Sequence, residues 1–138
     1  MERTASEAQA GNRMVPTEEQ EQRLLCEWAA FQGGRFPELK LLVHIPNEGK
    51  RSFQQGQRLK AIGLRRGFPD LFLPVACGGY HGLMIELKRR SGGRVSPEQR
   101  EWLSELTAQG YRAALCCGAD EAIEEIKKYL GGKQDGIR

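Results

Sequence analysis

Asp70 closes the turn Gly67-Phe68-Pro69-Asp70, and sixteen positions later Glu86-Leu87-Lys88 lies inside an apolar run. Two acids and a lysine gathered at strand ends have a definite use: together they can collect a divalent cation and a water beside a phosphodiester. Carboxylates about 4 Å apart repel by roughly 4 kcal/mol at an effective dielectric of about 20, so such a pair shares a proton, stays solvated or binds a cation. Mg²⁺ keeps several waters and needs only one or two protein carboxylates plus phosphate oxygens, which suits so sparse a set. Lys88 could then orient the attacking water and offset transition-state charge. Taken alone, however, Glu-x-Lys is a common surface pattern and Asp after Pro is ordinary turn chemistry. The elements that present these residues therefore decide the matter.

Side chains alternate along a strand, so Glu86 and Lys88 share one face of an expected strand Leu83–Lys88, opposite Leu83, Ile85 and Leu87. Gly67 and Pro69 make a sharp lead-in that presents Asp70 at the start of a strand running to Val75. The turn-rich Cys77-Gly78-Gly79-Tyr80-His81-Gly82 separates the two strands, which reads as a hairpin. That pairing brings Asp70, Glu86 and Lys88 to one edge.

Other elements follow from local signals. Thr17 with Gln20 is a capping box for a first helix to about Gln32, whose apolar stripe is Leu24/Leu25, Trp28 and Phe31. Glu21 falls at the edge of that stripe. Lys40–Ile45 reads as a strand stopped by Pro46. Ser52 and Gln55 start a second helix ending near Ile62 and Gly63, and Ser96-Pro97-Glu98-Gln99 starts a third that Gly110 stops. Tyr111–Cys117 is apolar enough for a buried strand. Asp120 caps a last helix with core residues Ile123, Ile126 and Leu130, closed by Gly131-Gly132. The order α-β-α-β-β-α-β-α predicts an α/β fold, a mixed sheet flanked by helices.

The 138 residues suffice for one cored domain, expected over 17–131, with a flexible tail over 1–16 and a short one over 132–138. No apolar run approaches the roughly 20 residues of a membrane span, and the N-terminus has no signal-like stretch, so an intracellular, cytoplasmic protein is expected. Cys26, Cys77, Cys116 and Cys117 form no C-x-x-C and read as reduced, buried and structural. The net charge of +3 hides a segregation: residues 50–100 carry eleven Lys/Arg and three acids, the remainder ten and fifteen. Between Lys50 and Arg66 there are six basic residues and no acid, the footprint of a polyanion contact or a solvated helix face.

Taken together, Glu21-Gln22, Ile45-Pro46-Asn47-Glu48-Gly49, Gly67-Phe68-Pro69-Asp70-Leu71, Gly79-Tyr80-His81-Gly82-Leu83, Ile85-Glu86-Leu87-Lys88 and Ser96-Pro97-Glu98-Gln99 give the chain a family likeness. From about Thr17 to Leu130 it resembles the VRR-NUC (virus-type replication-repair nuclease) domains of the PD-(D/E)xK superfamily, especially small stand-alone phage proteins. The resemblance implies a restriction-endonuclease-like core and a Mg²⁺- or Mn²⁺-dependent endodeoxyribonuclease. Asp70, Glu86 and the Leu87 backbone carbonyl would be metal ligands and Lys88 the catalytic lysine. An acid of the first helix would complete the site, Glu21 by its inward phase or else Glu18. Gln99 would stand behind the lysine strand, or simply cap its helix. Asn47, Lys50, Arg51, Arg58, Lys60, Arg65, Arg66, Arg89 and Arg90 would contact DNA, and Glu48, where related sequences often have Gly, is a surface change or an extra ligand. His44 and His81 are expected to be structural or substrate-adjacent. The resemblance also implies a homodimer acting on branched DNA such as a Holliday junction, in replication, recombination or repair. A non-catalytic nucleic-acid-binding module and a restriction-type nuclease are the alternatives; the first is disfavoured because both acids and the lysine are present, the second because the chain is short.

Overall fold

A computed structural model of the chain describes residues 15–46 and 52–135, with side chains to Gly131. Thr17 caps the first helix, α1 (Glu18–Phe31): its side chain accepts from the Gln20 backbone while the Gln20 side chain accepts from the Thr17 N–H. Glu21, Leu25 and Ala29, spaced i, i+4, i+8, are its buried positions. The expected stripe is therefore rotated: Leu24 is exposed and Phe31 is 86% exposed, because at about 100° per residue both lie roughly 100–120° around the helix from Leu25.

The strand expected over 40–45 is largely replaced. Pro37 opens a 3-10 helix (Pro37–Leu41) that buries Leu39, leaving only β1 (Val43–His44) to pair. Pro37 lies just before the expected strand, its φ preset for a helical turn, and the Leu39 side chain holds that turn against the core. Ser52 and Gln55 form the second capping box, starting α2 (Phe53–Ala61). β2 (Leu71–Leu73) and β3 (Leu83–Lys88) make the expected hairpin, and α3 (Pro97–Ala108) carries the chain across to β4 (Arg112–Cys117). The sheet order is β1-β2-β3-β4, antiparallel except for the β3/β4 pair. The last helix, α4 (Ala119–Asp135), starts one residue before Asp120 and continues past the expected stop at Gly131. Gly131 keeps φ out of the left-handed range that would cap the helix.

Leu83, Ile85 and Leu87 on one face of β3 meet Leu25 and Ala29 of α1 and Ala122, Ile126 and Leu130 of α4 in the core. Each such leucine or isoleucine contributes about 1.5–3 kcal/mol by leaving water, which is what holds β3 central and its other face fixed. Cys77 and Cys116 are buried as expected, but Cys26 and Cys117 are exposed; all four are free thiols. No helix among the described residues is long and apolar enough to cross a membrane.

Candidate active site

The β2/β3 register pairs Leu71 with Ile85, so Asp70 extends the ladder opposite Glu86 on the face shared with Lys88. All three are buried: Asp70 4%, Glu86 1% and Lys88 8% exposed. Charged residues are almost never this deep unless paired, and here the pairing is specific. Asp70 Oδ2 accepts the Leu87 backbone N–H at 2.8 Å, which fixes the acid to the strand that carries the other two groups. Lys88 Nζ lies 3.5 Å from Glu86 Oε1, and Gln99 Nε2 donates to the same oxygen at 2.7 Å.

Gln99 makes both a capping contact and a contact to Glu86. Its Oε1 accepts the Ser96 N–H in the capping box, and its amide nitrogen reaches Glu86. The turn before Asp70 is locked to the same helix end. Gly67 has φ +88°, and a Cβ there would stand 2.8 Å from the Glu98 backbone carbon. Phe68 packs edge-on against Trp102, whose indole donates to the Arg66 carbonyl.

The second oxygen of Glu86, Oε2, is buried and meets no hydrogen-bond donor among the described residues. Asp70 is close enough to be a hydrogen-bond partner of Glu86, an arrangement of two acids that needs a shared proton or a cation. Burial is the largest influence on Glu86 and outweighs the opposing Lys88, pushing its pKa up to about 7; Glu18 adds a further upward push. Among the described residues no group of three or more His, Cys, Asp or Glu encloses a metal by itself. Two carboxylates with one orphaned buried oxygen nevertheless fit a hydrated hard cation that completes its shell with phosphate oxygens.

Of the first-helix acids, Glu18 is the one whose charge acts on Glu86. It lines a shallow depression of about 230 Å³ with Glu19, Gln22 and His44, and the His44 ring contacts the Asp70 carbonyl through Nδ1 at 3.1 Å. Glu21 is fully buried but engaged elsewhere. Its oxygens accept from the Arg90 backbone (2.9 Å), Arg90 Nε (3.0 Å), Arg90 Nη2 (2.7 Å) and the Ala119 backbone (3.3 Å). The Arg90 guanidinium holds its carboxyl below the usual range against the opposing effect of burial.

The basic residues divide. Arg90 is committed to Glu21, whereas Arg89 is half-buried with its Nε unpartnered among the described residues. Arg58 and Lys60 are exposed on α2, and Arg65 and Arg66 are exposed beyond it, Arg65 bonding the Lys60 and Leu64 carbonyls. Asn47, Glu48, Lys50 and Arg51 lie outside the described residues. His81 packs against Gly110 and Tyr111, before the opposite end of β3. Two features were missed from sequence: the Glu21–Arg90 pair, whose partners are 69 positions apart, and the tie from Gly118 N–H to the Lys88 carbonyl at 2.8 Å. The glycine at 118, which takes a positive φ, was the one local sequence signal for the second.

The family model for the VRR-NUC domain matches residues 6–120 of the chain. A solved structure described as a VRR_NUC domain protein is similar at 29% identity with a TM-score of 0.73, covering 85% of this chain and 90% of its own. No curated protein matches.

Proposed function

Because this chain belongs to the VRR-NUC domain family, nucleases of the PD-(D/E)xK type with a restriction-endonuclease-like fold, we propose that it is a Mg²⁺- or Mn²⁺-dependent DNA endonuclease selective for branched substrates. The observation that carries the chemistry is Glu86 Oε2, buried without a hydrogen-bond donor among the described residues, on a carboxylate that interacts with Asp70. Asp70, Glu86 and the Leu87 carbonyl would hold the cation, which supplies Lewis-acid polarisation of the scissile phosphate. Glu18 is the first-helix acid best placed to join them, since its charge already acts on Glu86.

The chain's own groups do the rest. Gln99 occupies Glu86 Oε1 and thereby leaves Oε2 as the oxygen for the cation. Lys88, held beside the same carboxylate, orients the attacking water and offsets negative charge as the phosphoryl group becomes five-coordinate. Arg89, Arg58, Lys60, Arg65 and Arg66 supply phosphate contacts, which position DNA without reading its sequence. A four-way junction offers two equivalent scissile strands, and a C2 homodimer would match them with two sites.

Purified protein is assayed on four-way junction, flap, nicked and linear duplex DNA with Mg²⁺, Mn²⁺ or chelator. Cleavage is expected only with metal, and Lys88→Ala should reduce it by roughly 10²- to 10³-fold. Activity surviving both chelation and Lys88→Ala would overturn the mechanism. Equal cutting of junction and linear duplex would overturn the selectivity alone.

A further inference from the structure

Helix α2 is the element the fold leaves unused. None of its residues is buried, and it has no extensive packing contact with any other helix or strand among the described residues. It is nevertheless a properly closed helix, capped reciprocally by Ser52 and Gln55. Residues 52–66 contain Arg58, Lys60, Arg65 and Arg66 and no acid. Phe53, in its first turn, is 80% exposed.

Phe53, Gln57 and Lys60 recur at helical spacing and are all exposed, so they form one face. Gly56 adds no bulk to it, and even a Cβ there would meet nothing within 4 Å. An aromatic ring on the same open face as a lysine, on a helix without acids, is matched by one class of occupant: unpaired nucleotides, whose bases stack on the ring while a phosphate meets the cation. A linear duplex keeps its base faces inside the stack and cannot use Phe53. A second copy of this chain pairing α2 against α2 would bring two acid-free, positively charged helices together, which their like charge opposes.

Resting on the nuclease reading above, we propose that α2 is a stacking platform for unpaired bases at a DNA branch or flap, with Phe53 against a base and Lys60 and Gln57 on the adjoining backbone. The selectivity for branched DNA then resides partly in this helix rather than in the catalytic face.

Binding is measured by fluorescence anisotropy with the Lys88→Ala protein as parent, on linear duplex, flapped duplex and a single strand. Phe53→Ala should weaken flap and single-strand binding roughly 5- to 100-fold while linear duplex changes by less than about twofold, and Phe53→Trp should restore the parent affinities. Since Phe53 supports no core, the melting temperature should be unchanged, which separates lost stacking from lost folding. Unchanged flap affinity in Phe53→Ala overturns the inference alone, provided the parent binds. An equal loss on linear duplex, or a loss accompanied by dissociation of a dimer in sedimentation, also overturns it, the latter by making the patch a chain–chain surface. A parent that binds no DNA overturns the nuclease reading and this inference together.

Discussion

Burial holds the Glu86 carboxyl near 7 although Lys88 stands beside it, so the metal-free fold favours the protonated acid while chemistry with a cation needs the carboxylate. The two demands meet in one residue, and they give a pH dependence of definite sign. A folded pKa raised from 4.5 means that the native state binds more protons than the unfolded chain between those values. The stabilisation is fully present below about 4.5 and is lost as pH rises through about 7, a change on the order of 3 kcal/mol. Urea unfolding in chelator should therefore show stability falling between pH 5 and 7 relative to Glu86→Gln, and saturating Mg²⁺ should flatten that slope. Identical slopes in wild type and variant would remove Glu86 as the origin. The Glu21 shift has the opposite sign, since its stabilisation is present above its unfolded pKa and is lost as acid titrates the Arg90-paired carboxylate. Both carboxylates were singled out in the sequence, Glu21 by its inward helical phase and Glu86 by the strand face it shares with Lys88. That burial raises the pKa of one while Arg90 lowers that of the other was not legible there, because burial and Arg90 arrive only with tertiary structure.

At the scale of elements, the parts legible in sequence are those whose physics is local. Three capping boxes, Thr17/Gln20, Ser52/Gln55 and Ser96/Gln99, form as read, because each needs only residues three apart. The β2–β3 hairpin was legible from alternation and its glycine-rich turn. The short β1 and the rotated α1 stripe were not, since Leu39 and Glu21 take their places from neighbours distant in sequence. The turn before Asp70 shows how two elements share one constraint. Gly67 is in the left-handed region and its α-hydrogen side faces the first turn of α3, the helix that also supplies Gln99. Gly67→Ala must therefore push the turn from the helix as well as accept backbone strain, at a combined expected cost of about 2–3 kcal/mol. Because both Asp70 and Gln99 lie at that junction, cleavage should fall even at temperatures where the variant remains folded. Circular dichroism melts with cleavage rates taken well below the melting point check this; full activity in the folded variant would show that the junction does not position the site.

Across the whole molecule, one buried carboxylate stitches together three regions that the chain order keeps apart. Glu21 on α1 accepts from Arg90, just beyond β3, and from Ala119, at the start of α4. The fit around it is tight: a Cβ on Gly118 would stand 3.3 Å from Glu21 Oε2 and 3.0 Å from the Arg90 Cβ, while Gly118 N–H holds the Lys88 carbonyl. The end of the strand that carries Lys88 is thus fixed from behind by the first and last helices. This arrangement separates two roles for the acids of α1. Glu21→Ala leaves the Arg90 and Ala119 backbone N–H groups without their acceptor, so a loss of about 1–3 kcal/mol is expected in urea unfolding. Its metal affinity, read by titrating Mn²⁺ against the folded variant, should be nearly that of wild type. Glu18→Ala should behave inversely, with stability nearly unchanged, since Glu18 is partly exposed, and with weaker Mn²⁺ binding and slower cleavage, since its charge reaches Glu86. If Glu21→Ala abolished Mn²⁺ binding while remaining folded, the metal role would return to Glu21, and the Arg90 pair would have to open when the cation binds.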